Sequence, residues 1–140
     1  MKRFVTLIMA LMLFVSCVLP CAQAEGPAPR SSNFFTSYGT TLSKVGNGRI
    51  KIVFSTTGTA VCNQLGVANY QVQRLNDAGN WEDVSGHLYG SLASGLTNYT
   101  FSRYFNGVAG ETYRVKVIFL CVINNASETQ AYTSGQITAR

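Results

Sequence analysis

Few residues in this chain have side chains suited to chemistry. Among 140 residues there are four cysteines, one histidine, one tryptophan and six carboxylates. Cys62 and Cys121 stand 59 positions apart and offer one reaction as a pair, closure of a disulfide. The alternative is two buried thiols. His87 is the sole histidine and lies among glycines and serines, with no partner at a spacing that marks a nucleophile and its base. No His/Cys spacing fits zinc, and no acidic loop fits calcium. The expectation is therefore a chain with no catalytic residues, no metal and no cofactor. Trp81 followed by Glu82 and Asp83 is a candidate ligand platform, with the indole stacking on a sugar and Glu82 accepting its hydroxyls. Period two opposes this, because neighbouring strand residues point to opposite faces, which favours packing of Trp81 over an edge.

A second kind of candidate is apolar. The run from Gly110 to Val122 is the longest β-prone stretch, with Tyr113, Val115, Val117, Phe119 and Cys121 on one face and Arg114 and Lys116 on the other. It reads as a central strand. Ile118, Leu120 and Val122 continue the face that Arg114 and Lys116 begin, opposite the core side, and form a candidate contact patch.

The elements around these residues read as short strands. Tyr38 to Lys44 and Arg49 to Thr56 form a hairpin about Val45-Gly46-Asn47-Gly48, with Ile50, Ile52 and Phe54 inward. Phe34 and Phe35 dock at its start. A loop from Thr57 to Gly66 is predicted to carry Cys62, followed by a strand from Val67 to Leu75 with Tyr70 and Val72 inward. Asp77-Ala78-Gly79-Asn80 is a turn before a short strand from Trp81 to Val84. Ser85 to Ser94 is a looser crossing. Thr97 to Phe105 is a strand that places Arg103 uncomfortably beside Tyr99 and Phe101, and Thr129 to Thr138 closes the fold. About seven strands without a long amphipathic helix predict an all-β, antiparallel two-sheet sandwich of immunoglobulin or fibronectin type III kind. The tyrosine of the central strand is Tyr113, whereas the immunoglobulin bridge has its tyrosine two residues before the second cysteine. The run from Tyr113 to Val117 instead follows the Tyr-x-Val-x-Val pattern of fibronectin type III strands.

The amino terminus sets the compartment. Lys2 and Arg3 precede an apolar run from Phe4 to Val15, and Ala22-Gln23-Ala24 supplies a cleavage site, so residues 1–24 read as a secretory signal peptide. The run is too short to span a membrane. Cys17 and Cys21 match a lipid-attachment site poorly, which leaves a lipid anchor on Cys17 as the lesser alternative. Residues 25–32 form a flexible leader rich in Gly, Pro, Ala and Ser, and residues 33–140 a single domain. Cleavage removes two basic residues, leaving nine against six acidic ones and a net charge of +3. No clustered basic stripe suggests nucleic acid. Export also places Cys62 and Cys121 where disulfides persist.

Leu65-Gly66-Val67, Gln71-Val72-Gln73, Gly79-Asn80-Trp81-Glu82-Asp83-Val84 and the run from Gly107 to Val115 resemble a family of small secreted proteins from Gram-positive, clostridia-like bacteria, of uncharacterised function. The resemblance implies export and a β-sandwich and transfers no catalytic residue. Two functions follow as expectations. The first is a secreted, non-enzymatic binding module for a cell-envelope glycan or protein. The second is an assembly subunit that pairs with itself or joins an extracellular complex.

Overall fold

Alternating side chains punctuated by Gly and Asn turns fold this chain into strands. The computed structural model describes Ser32–Arg140, and among these residues there is no helix and none that could cross a membrane. The signal peptide, Cys17, Cys21 and the leader up to residue 31 lie outside the described residues.

Ten strands follow in order: β1 (Phe35–Gly46), β2 (Arg49–Cys62), β3 (Gln64–Leu75), β4 (Trp81–Asp83), β5 (Leu88–Tyr89), β6 (Leu92–Ala93), β7 (Leu96–Asn106), β8 (Thr112–Ile123), β9 (Ala126–Thr133) and β10 (Ile137–Thr138). They form two antiparallel sheets packed as a sandwich. The first has the order β1-β2-β7. The second is built on β3 and β8, with β4, β5 and β6 end to end along the free side of β3, and β9 and β10 along the far side of β8. The sheets therefore hold three and four rows of strand. β8 is interior, as its apolar alternation requires.

Turn chemistry sets the registers. Asn47 and Gly48 both have positive φ, 53° and 75°, and close the β1–β2 hairpin as a two-residue turn whose twist matches the strands. Asn124 and Asn125 do the same between β8 and β9, at 49° and 67°. Ile50, Ile52 and Phe54 of β2 meet Leu65, Val67, Tyr70 and Val72 of β3 and Val115, Val117 and Phe119 of β8 in one buried core. Tyr113 starts β8 with its hydroxyl accepting a hydrogen bond from the Val108 backbone N–H at 2.8 Å. Gly107 is needed beneath that ring, since a Cβ there would lie 2.8 Å from it.

Three expectations change. The predicted loop from Thr57 to Gly66 is strand almost throughout, because β2 runs to Cys62 and β3 begins at Gln64, leaving Asn63 as the step between sheets. The looser crossing supplies β5 and β6. The closing strand is two strands, separated where Ser134 turns inward and its hydroxyl accepts from the Val115 N–H at 2.8 Å.

Thr40 faces inward opposite Phe54, 8% exposed, and its hydroxyl has no partner among the described residues. Thr40→Val removes that unsatisfied group at nearly constant shape, and is expected to stabilise the domain by about 1 kcal/mol in a urea titration. A lower midpoint would show that the hydroxyl is in fact satisfied.

Candidate functional site

Paired residues of an antiparallel sheet share a face, so register alone maps the outer surface of the second sheet. One row runs Ala131, Ile118, Asn69, Tyr89, and the next Thr129, Leu120, Gly66, Leu92. Val122 follows between Ser127 and Gln64. Ile118, Leu120 and Val122 are half-buried by their neighbours, while Tyr89 is 92% exposed and Leu92 41%. The three residues singled out in the sequence share this face with Tyr89 and Leu92, with Asn69 and Gly66 of β3 between them. No third layer of described residues lies over it. Gln71 and Lys116 border it, while Asn69 lies within it, between Ile118 and Tyr89.

Tyr89 and Leu92 reach this face because β5 and β6 lie unusually close to β3. The Gly90 N–H donates to the Ala68 carbonyl, and the Val67 N–H to the Ser91 carbonyl, at 3.1 and 3.0 Å. A Cβ on Gly90 would fall 2.0 Å from the Val67 carbonyl oxygen, so only glycine admits this approach.

Trp81 and Glu82 are not brought together. Trp81 pairs with Leu75, and one face of its ring is covered by the Arg114 guanidinium at 4.2 Å. Glu82 turns to the other side of β4, bonded to Asn76 Nδ2 at 2.7 Å and Arg74 at 3.4 Å. Those bonds hold its carboxyl below the ordinary range. Asp83, not Glu82, joins the Trp81 side, accepting from Gln73 Nε2 at 2.6 Å while Gln73 Oε1 accepts from Arg114 Nε at 2.9 Å. His87 is exposed between β4 and β5. Among the described residues no three His, Cys, Asp or Glu side chains cluster as metal ligands.

Cys62 and Cys121 meet at one pole, fully buried, with their sulfurs 3.0 Å apart. The expected disulfide is not formed in this structure: a covalent S–S bond needs about 2.05 Å, and the two groups stand as neighbouring thiols. Burial, the contact with Cys62 and the nearby Glu128 push the Cys121 thiol up to about 12.

Glu128 itself fastens the start of the described chain over this pole. Its carboxylate accepts from Ser32 Oγ at 2.8 Å, Phe34 N at 3.0 Å, Asn33 N at 3.2 Å and Gln130 Nε2 at 2.6 Å. Burial opposes its charge, but these hydrogen bonds prevail and hold the carboxyl below the ordinary glutamate range. A lowered folded pKa means the tether is complete above the unfolded value and lost as pH falls through the folded one. Amide resonances of Asn33 and Phe34 are expected to shift together on acidification, and Glu128→Gln to abolish that titration. A titration unchanged in the variant would contradict the assignment.

No protein-family model matches the chain, and no curated protein matches it by sequence. A crystal structure of a protein from Archaeoglobus fulgidus is similar at a TM-score of 0.36 and 11% identity, covering 76% of this chain and 98% of that one. A likeness at that level assigns neither family nor activity. The class that the fold itself defines is an all-β, two-sheet antiparallel sandwich.

Proposed function

We propose that the chain is a secreted, non-enzymatic binding module that meets a cell-envelope glycan or protein through the outer face of its second sheet. The observation that carries this reading is the register, which brings Tyr89, Leu92, Ile118, Leu120 and Val122 from three strands onto one face, interrupted by Asn69 and Gly66. The signal-like residues 1–24 and the resemblance to small secreted proteins of clostridia-like bacteria support export. An immunoglobulin or fibronectin type III relationship is supported by the Tyr113 hydroxyl bonded five residues upstream, the geometry of a tyrosine corner. In an oxidising compartment the two thiols lose two protons and two electrons to an oxidant, such as an oxidoreductase disulfide, and become a bridge between the sheets.

The test is cosedimentation of Glu25–Arg140 with an insoluble envelope fraction, using wild type and the double variant Tyr89→Ala, Leu120→Ser. Loss of about tenfold or more in affinity supports the face. Equal binding by both proteins would overturn it, and protease treatment of the fraction separates protein from glycan ligands.

A second reading, an assembly subunit, is favoured by β7, an eleven-residue strand at the open edge of the first sheet. Association that grows with concentration in light scattering would support it. Arg103 argues against pairing with another copy, since an inward-facing charge blunts an edge.

A further inference from the structure

Position 103 belongs to the inner face of the first sheet. It pairs with Ile52, which is 1% exposed, two residues from Phe101, which pairs with Phe54. An inward arginine on an interior strand would be buried; Arg103 is exposed. The second sheet therefore leaves a notch beside β7. The floor of that notch is aromatic. Phe101 and Tyr70 both pack on Phe54, with ring centres 4.9 and 5.0 Å apart, and the Arg103 guanidinium lies 5.1 Å over Phe101. Leu88, paired with Tyr70, adds a half-buried apolar wall. The Tyr99 hydroxyl bonded to Ser91 Oγ at 2.8 Å ties β7 to the chain between β5 and β6.

Two donors here are uncommitted. Arg103 forms no ion pair among the described residues, and its one hydrogen bond goes to the carbonyl of its own neighbour Ser102, at 3.2 Å. By contrast, Arg74 bonds the Glu82 carboxylate and Arg114 bonds Gln73. Tyr70 is only 6% exposed, but that exposure includes its hydroxyl, which makes no hydrogen bond among the described residues and reaches solvent. Burial raises the phenol's pKa, and the charge of Arg103 partly offsets the rise, so the Tyr70 hydroxyl stays a neutral donor within reach of that cation's field.

From this notch we infer a second binding site, separate from the outer face of the other sheet. It takes the C-terminal carboxylate of an extended peptide, received by the Arg103 guanidinium and the Tyr70 hydroxyl, with an apolar last side chain against Phe101 and Leu88. A guanidinium fork matches a carboxylate in two parallel hydrogen bonds. Apolar walls suit a peptide side chain better than the hydroxyls of an acidic sugar. The free edge of β7 offers main-chain groups to the residues before the carboxylate, as in strand addition. The charge that blunts pairing with another copy is thus the feature that selects a chain ending in an anion.

The test titrates the domain with N-acetyl-Ala-Val-Phe as the free acid, as its C-terminal amide, and with glucuronate, following heat and the Arg103 Nε–H resonance. The acid is expected to bind and to shift that resonance, with the amide about tenfold weaker or worse. Arg103→Gln, at an exposed position, and Tyr70→Phe, which keeps the packed ring, are both expected to weaken the acid and leave the amide unchanged. Unchanged melting of Arg103→Gln confirms that the variant is folded. Equal affinity for acid and amide, full affinity in Arg103→Gln, or no binding of the acid at millimolar concentration would each overturn the site. Glucuronate binding as well as the peptide acid would overturn the peptide assignment.

Discussion

Phe54→Ala is expected to cost about 4 kcal/mol, the upper range for deleting a buried aromatic side chain. Phe54 is 1% exposed at the middle of β2, the interior strand of the first sheet, and its ring contacts both Tyr70 across the sandwich and Phe101 beside it. Removing it leaves two aromatic rings facing a void they cannot both fill, since each is fixed by its own strand register. For a domain whose whole stability is of order 5–15 kcal/mol, that is about a quarter or more of the total. Urea unfolding of the variant should show a much lower midpoint at a similar slope. Val53→Ala, one residue away on the outer face, should change little. A loss below about 1 kcal/mol for Phe54→Ala would mean that the core does not centre on this residue.

The second large effect concerns the thiol pair. Joining Cys62 to Cys121 closes a loop of 59 residues, and constraining the unfolded chain to that extent is worth about 4 kcal/mol in the chain-entropy model. On a domain of this size the melting temperature should fall by on the order of 20 °C when the oxidised protein is reduced. Cys62→Ala should melt well below the oxidised wild type. Equal melting of oxidised wild type and variant would sink the bridge. The reduced protein should also react slowly with a thiol reagent while folded. Attack needs the thiolate, and burial with the neighbouring Cys62 holds the Cys121 thiol up at about 12. Denaturant should release that reactivity at once.

Much of the scaffold follows from period two and turn chemistry. Ile50, Ile52 and Phe54 alternate with Arg49, Lys51 and Val53, and their burial alternates in step. The Asn47-Gly48 turn sets its hairpin because both residues accept positive φ. Alternation fails from Thr57 to Val61, where small and polar residues carry little apolar contrast, and there strand reads as loop. Ser85 to Ser94 misleads for another reason. Two-residue strands have no period, and only the close approach of Gly90 to β3 gives them a place in the sheet.

The candidate site divides in the same way. Ile118, Leu120 and Val122 are legible because they lie on one long strand. Tyr89 and Leu92 belong to the same surface through cross-strand register, which no local pattern encodes. The nearness of Cys62 and Cys121 follows from sandwich topology, while their bonded state depends on redox conditions as well as on side-chain types. Arg103 sits awkwardly in any inward alternation. Its meaning emerges once the neighbouring row of short strands leaves the edge of the sandwich open.

In the proposed function the outer face of the second sheet meets the ligand. Hydroxyl-radical footprinting of Glu25–Arg140, free and bound to the envelope fraction, reads that face side chain by side chain. Protection is expected at Tyr89, Leu92, Ile118 and Leu120, with Tyr104 and Val53 on the outer face of the first sheet unchanged. Protection of Tyr104 and Val53 with Tyr89 and Leu92 still fully reactive would contradict it.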